Sequence, residues 1–183
     1  SLQNTIDSEQ ITLEIITSLN TLESDAMIIE NLGFQRRIRM IKESCTELNR
    51  VENEYISLLL NKGNIETGII ARIRNQLEEF ENTGDQDQLS KQFNRYLITN
   101  NPDILDEMIS ATDLRITPLN SVNLQENTLA ENNVLMPLLL ESLKELLTID
   151  QRMGFYRENG LTGDLVLYNQ QINNQLAAFR SEE

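Results

Sequence analysis

Apolar residues recur at helical spacing from early in the chain. Ile15, Leu19, Leu22, Ala26 and Ile29 follow one another in alternating steps of four and three, which keeps their side chains on one helical face. A second stripe, Phe34, Ile38, Ile41, Cys45 and Leu48, repeats the alternation and continues through Val51, Tyr55 and Leu58. The step from Ile29 to Phe34 is five residues, so the seam changes phase at Gly33. From Ile6 to Leu60 the chain contains no proline and no other glycine. The pattern predicts one helix of roughly 40 residues or more, or two nearly collinear ones, with a module boundary near Gly33.

Further along, Asn61-Lys62-Gly63-Asn64 combines a C-terminal glycine signal with an N-cap candidate, Asn64. The next helix runs from Ile65 to about Glu81 on Ile69, Ile73, Leu77 and Phe80, and Asn82-Thr83-Gly84 closes it. Asp85 caps its successor, Gln86 to about Thr99, which turns Leu89, Phe93, Tyr96 and Leu97 inward and stops before Pro102. Asp103 to about Arg115 supplies Ile104, Leu105, Met108 and Ile109, with Pro118 as the interruption. From about Ser121 a second long pattern uses Val122, Leu129, Val134, Leu138, Leu143, Leu146 and Leu147, reaching Met153 and Phe155, with a kink expected at Pro137. A terminal helix places Leu165, Tyr168, Ile172, Leu176 and Phe179 on one face. Short connections between such elements suit antiparallel packing. The expected fold is all-α, a four-helix bundle or two stacked bundles sharing long helices, in one domain over residues 1–183.

Composition narrows this reading. The chain has 183 residues, 39% of them hydrophobic, enough for one ordinary core or two small ones, and its seven glycines, three prolines and 5% aromatics argue against a turn-rich sheet protein. Fifteen basic against twenty-nine acidic residues give a net charge of −14, which opposes binding to phosphate backbones and excludes nucleic acid as a partner. The longest apolar run, Leu135 to Leu140, falls far short of the roughly 20 residues of a membrane-spanning helix. The opening Ser1-Leu2 has no initiator methionine, and a piece excised from a longer chain is expected. The single cysteine, Cys45, cannot form an internal disulfide, and its place in the apolar stripe assigns it the role of a small buried hydrophobe.

The chain contains no histidine, which removes the Glu-x-x-His pairs of di-iron bundles, ordinary zinc sites and Ser-His or Cys-His nucleophiles. It also has no glycine-rich phosphate loop. Neither enzymatic activity nor a cofactor or metal is expected. The carboxylates of Glu52/Glu54 and Glu78/Glu79/Glu81 diverge around their helices and read as solvated faces. One local feature breaks the acidic background: Arg36, Arg37, Arg39 and Lys42, in which Arg36 and Arg39 project from one face at i, i+3. Two guanidinium groups so placed can grip a small carboxylate, although salt bridging to acidic neighbours is the ordinary use of such a run. Arg72, Arg74, Arg152 and Arg157 are the other basic residues placed to converge on such a pocket. The candidate ligand site is therefore Arg36, Arg39, Arg152 and Tyr156, between the first helix and the segment 152–156. A carboxylate is the favoured ligand, and an amine held by the abundant carboxylates is the alternative.

Two stretches carry a resemblance. Asn49-Arg50-Val51-Glu52-Asn53-Glu54-Tyr55-Ile56-Ser57-Leu58-Leu59 is similar to the pattern of Arg, Glu, aromatic and Leu-rich positions on the long helices of bacterial chemoreceptor sensor domains. Asn159-Gly160-Leu161-Thr162-Gly163-Asp164-Leu165 resembles their Gly-Leu-x-Gly turn. The segment from Val166 to Tyr168 lacks the arginine that often follows that turn, and the chain is shorter than the bimodular members, which implies a truncated or single-module relative. The resemblance implies an extracytoplasmic, periplasmic domain of an inner-membrane chemoreceptor or sensor kinase, dimeric, set between two transmembrane helices outside this stretch. Such a domain binds a small metabolite, often an organic acid or an amine, and signals in chemotaxis or related transduction by displacing packed helices. The competing expectation is a helical scaffold or protein-interaction domain with no small-molecule site.

Overall fold

Helices carry most of the described chain, and no strand occurs among the described residues, so the fold is all-α. The computed structural model describes residues 2–24, 31–79, 86–119, 127–156 and 158–180. Its helices are α1 (Leu2–Glu23), α2 (Leu32–Gly63), α3 (Ile69–Glu79), α4 (Gln86–Thr99), α5 (Pro102–Leu119), α6 (Asn127–Met153) and α7 (Gly160–Arg180). Two compact units divide the chain, one formed by Ser1–Ile56 with Tyr156–Glu183 and the other by Ser57–Phe155. The division falls inside α2 and just after α6, whereas Gly33 is merely the second residue of α2.

In the first unit the chain reverses between α1 and α2. Leu19 shares a core with Ile38, Ile41, Cys45, Leu48 and Ile172, against which Ile15, Ile16, Leu165, Tyr168 and Leu176 pack. Glu23 of α1 accepts an ion-paired hydrogen bond from Lys42 of α2. On one continuous helix these two residues would stand about 28 Å apart at 1.5 Å per residue. The expected single or collinear helix over 6–60 is thus corrected to a hairpin, and the helix of roughly 40 residues is replaced by two of 22 and 32 residues. Asn31 sets the second start: its side-chain oxygen accepts the backbone N–H groups of Gly33 at 3.0 Å and Phe34 at 3.2 Å, an N-cap that begins α2 afresh. Ala26 and Ile29 of the first stripe lie outside the described residues. Near the start of α2, Arg37 donates to the carbonyl of Ala178 at 3.4 Å, while further along α2 the groove edge Met40 to Glu47 lies beside the earlier α7 positions Tyr168 to Gln175 and Ile172 joins the core, so α7 also runs antiparallel to α2. Helices α1 and α7 therefore point the same way.

In the second unit, α3 packs on α4 and α6, and α5 packs on α4 and α6, closing a ring of four helices. Ile69, Ile73, Leu77, Leu89, Phe93, Tyr96, Ile104, Leu105, Met108, Leu139, Leu143 and Leu146 are buried in it. Each fully buried aliphatic or aromatic side chain contributes about 1.5–3 kcal/mol, so this core dominates the unit's stability. The connection after α2 is longer than periodicity alone predicts. Asn64 caps as expected, accepting from Glu66 at 3.0 Å and Thr67 at 3.1 Å, but the capped turn ends at Gly68 and α3 begins at Ile69 rather than Ile65. A Cβ on Gly68 would lie 2.5 Å from the Asn64 carbonyl oxygen and 2.6 Å from its nitrogen, which is why a glycine makes this bend. Phe80, Asn82, Thr83, Gly84 and Asp85, and the start near Ser121, lie outside the described residues.

Asn101 caps α5 by accepting from Asp103 at 3.0 Å, with Pro102 as the first helical residue, where no N–H is needed. The helix continues past Arg115 to Leu119, taking Pro118 into its last turn. Helix α6 continues without a break through Pro137. Its buried positions are Met136, Leu139, Leu143, Leu146, Ile149 and Met153, while Val134 and Leu138 of the expected stripe face solvent. The unbroken apolar run 135–140 gives several helical faces equal claim, and Leu139 rather than Leu138 turns to the core, while Leu143 and Leu146 are buried as expected.

Candidate functional site

Two grooves of about 460 Å³ each open on the first unit. One runs between α2 and α7. Met40, Glu43, Ser44 and Glu47 line it from α2 at spacings of three, one and three, and Tyr168, Gln171 and Gln175 line it from α7 at three and four. Those spacings place each set on one helical edge, so the two amphipathic helices that bury Ile41, Cys45 and Ile172 present these polar edges side by side. Glu47 is also held by Arg50 at 2.9 Å, and Arg50 reaches Glu54 at 3.2 Å, so Glu47 is fixed in direction while Glu43 stays exposed. The groove offers two carboxylates, a phenol, a hydroxyl, two amides and a thioether, a lining that accepts hydrogen bonds from an ammonium group and covers an alkyl stem. None of the described lining residues is basic, and Arg50 stands behind Glu47.

The second groove surrounds the start of α7, lined by Glu158, Gly163, Val166, Leu167 and Gln170. Its shape depends on the Gly160-Leu161-Thr162-Gly163 turn. Gly160 adopts φ 58° and Gly163 donates to the Asn159 carbonyl at 3.1 Å, while a Cβ on Gly163 would meet the Glu158 carbonyl oxygen at 2.5 Å. Leu161 is fully buried and anchors the turn.

The residues proposed from sequence as a carboxylate site are distributed differently. Arg36 and Arg39 lie one turn apart on the exposed side of α2, and neither lines either groove. Their neighbours in the basic run do structural work instead, Arg37 on the Ala178 carbonyl and Lys42 on Glu23. Arg152, exposed and engaged in an interaction of its own, closes α6 in the second unit. Tyr156 opens the returning segment of the first unit with 65% of its surface exposed. Of the other basic residues, Arg72 pairs with Glu145 at 2.7 Å across α3 and α6, Arg74 is exposed, and Arg157 lies outside the described residues. Cys45 is fully buried as expected, and burial pushes its thiol up, away from reactivity.

Sequence reading missed one polar cluster. In the second unit Asp150 of α6 is 4% exposed, and its carboxylate accepts from Lys62 of α2 at 2.5 Å and from the phenol of Tyr96 of α4. The Lys62 ammonium also stands 5.7 Å from the Tyr96 ring centre, and Phe93 stacks on that ring at 6.2 Å. Burial raises the Asp150 carboxyl above its ordinary range, and the hydrogen bond and charge of Lys62 offset part of that rise. A sign of this cluster was present in the sequence: Leu143, Leu146, Asp150 and Met153 share a helical face, so an acid stands in the core stripe.

Among the described residues no three acidic, cysteine or histidine side chains gather as a metal site, and no helix is long and apolar enough to cross a membrane. Compared with known proteins, the chain matches no family model, no curated protein and no solved structure.

Proposed function

We propose that this chain is a ligand-sensing helical domain that binds a small cationic metabolite, an amine, in the groove between α2 and α7. The observation that carries the reading is the lining of that groove, in which Glu43, Glu47, Tyr168, Gln171 and Gln175 face about 460 Å³ of space, a volume suited to a small ligand. The ammonium group is taken by Glu43 and Glu47, Tyr168 and the two glutamines orient its remaining polar atoms, and Met40 covers its apolar part. A net charge of −14 raises the local concentration of cations and opposes organic acids, so an amine displaces the carboxylate as the favoured ligand. The ligand favours one spacing of α2 and α7 over another, and the difference in affinity between the two spacings is the signal.

The chemoreceptor or sensor-kinase setting, extracytoplasmic and dimeric, rests on the resemblance of residues 49–59 and 159–165. One feature departs from that layout: α1 and α7 point the same way beside α2, so the start of the first and the end of the last do not emerge together as a pair. The displacement leaves through α7, whose last turns are tied to α2 by Arg37. Membrane contact belongs to segments flanking this stretch. The alternative, a helical interaction module, is favoured by Ile65 and Ile98 of the second unit, 92% and 85% exposed. Sedimentation across a concentration range tests the dimer, a purely monomeric result at high concentration counting against it.

A thermal-shift series with monoamines, diamines, amino acids and organic acids decides the ligand class. Amines are expected to raise the melting temperature by mass action, and Glu47→Gln or Glu43→Gln to weaken their binding about ten- to a hundredfold, the loss of one charge-assisted hydrogen bond. Arg36→Ala and Arg39→Ala are expected to leave the amine response intact. Stabilisation by organic acids that those arginine variants abolish would return the site to the basic pair. No stabilisation by any compound, together with partner binding through Ile65 and Ile98, would favour the interaction module.

A further inference from the structure

We infer that Lys62, Asp150 and Tyr96 form a proton-linked latch that fastens the last turn of α2 to α6 and releases it on acidification. The cluster joins three helices at their C-terminal ends within the second unit. Lys62 is the penultimate residue of α2, Tyr96 lies in the last turn of α4 and Asp150 in the last turn of α6. Two of these ends are closed by the same device, one residue in the left-handed region directly after the helix. Asn100, with φ 49°, donates to the carbonyl of Tyr96 at 2.7 Å, and Gly154, with φ 98°, donates to that of Asp150 at 2.8 Å. The side chains that meet in the cluster are therefore borne by residues whose own carbonyls are capped, which holds the phenol and the carboxyl in place.

The three groups differ in how they reach water. Tyr96 is 1% exposed and Asp150 4%, whereas the Lys62 side chain keeps 16%. When Asp150 takes up a proton the carboxyl still meets the Tyr96 hydroxyl, but the ion pair is gone and Lys62 can turn to solvent without leaving an unpaired charge behind. Loss of the pair frees the end of α2, not the packed ends of α4 and α6. Lys62 is the charged group that acts on the carboxyl. Of the helices packed against α6, α3 offers Arg72, which is committed to Glu145, a position five residues earlier on α6, and α5 carries Asp103, Asp106, Glu107 and Asp113, all exposed, and Arg115; Tyr96 reaches the carboxyl from α4. Linkage makes the latch reciprocal. Lys62 holds the carboxyl below the value that burial alone would give it, so protonation must weaken the Lys62 contact by the same factor.

The test uses the full chain and two readouts. Carbon-13 resonances of the Asp150 carboxyl report its titration, and amide hydrogen exchange, corrected for intrinsic rates, reports opening of residues 57–63 between about pH 7 and pH 4. In the parent, protection of 57–63 is expected to fall about tenfold or more on acidification while that of 139–149 holds, the mark of a local opening. Asp150→Asn is expected to show the low protection at every pH. Lys62→Met, which keeps the apolar stem, is expected to show it too and to move the Asp150 titration further upward. Protection of 57–63 that does not follow the Asp150 titration overturns the latch, as does an Asp150 titration that is unchanged or lowered in Lys62→Met. If Asp150→Asn fails to fold, the parent and Lys62→Met decide between these outcomes alone.

Discussion

A methyl group added to two helical glycines of this chain would have opposite effects. At Gly163 it would meet the Glu158 carbonyl oxygen and carbon at 2.5 and 2.7 Å, both backbone atoms that cannot swing aside, whereas at Gly63 it meets nothing within 4 Å. Gly163→Ala should destabilise by about 1–3 kcal/mol through forced backbone movement. Gly63→Ala should be neutral or stabilise by up to about 1 kcal/mol through reduced unfolded-state entropy. Urea titration of the two variants beside the parent checks both. Asp150 supplies a residue-level pH dependence. Its folded-state pKa is raised above the ordinary 3.8, chiefly by burial, so the carboxyl's contribution to stability is fully present below that value and is lost as pH rises through the folded one. Asp150→Asn, which cannot titrate, should give a flatter stability profile across that window. A variant as steep as the parent there would show that another group is responsible. The sequence made Cys45, Asn64 and the core positions of α2 legible because each follows from spacing or a local cap. It concealed Arg36 and Arg39, whose exposure depends on which face the tertiary partners of α2 cover.

At the scale of elements, helix existence was readable and helix direction was not. Periodicity located α4 and α7 closely, because Asn100-Asn101-Pro102 stops the first and Asn159-Gly160 opens the second by local chemistry. The reversal between α1 and α2 left a fainter trace, a five-residue step and an asparagine two residues before a glycine, which a continuous helix with a bend fits equally well. Burial of Leu19 with Ile38 and Ile41 and the ion pair of Glu23 with Lys42 distinguish the two. The α2–α7 groove was unreadable for a related reason, since its two edges lie more than a hundred residues apart in sequence and neither carries a motif. Helix α6 makes its own prediction. Pro137 is exposed inside it and has no N–H to give the carbonyl four residues before, so the helix tolerates a broken bond there. Pro137→Ala should restore it and stabilise the second unit by as much as about 3 kcal/mol, read as a raised denaturation midpoint with unchanged slope.

For the whole molecule, the two units carry separate cores, and a cavity in one should be felt there first. Ile41→Ala and Leu143→Ala each remove a fully buried side chain, with an expected cost of about 2–5 kcal/mol. Hydrogen exchange should place the first loss in 32–56 and 160–178, the second in 69–79 and 139–153. Equal loss in both units from either change would mean that they unfold as one.

The order of the chain through those units has a further consequence. Residues 57–155 stand within the first unit like a clause within brackets: the sentence opens at Ser1, is suspended after Ile56, and resumes at Tyr156. Because α7 runs back along α2, the two severed ends face each other across a helix pair and not across the length of the unit. Cutting out the bracketed residues and joining Ile56 to Tyr156 by a short Gly/Ser connection should therefore leave a grammatical remainder, α1, the first part of α2 and α7, with the Ile38, Ile41, Cys45, Leu48 and Ile172 core intact. A helical circular dichroism spectrum with a cooperative melt, and retained binding of whatever amine the parent binds, is the expected result. A remainder that stays unfolded would make the bracketed residues a condition for the outer ones to form.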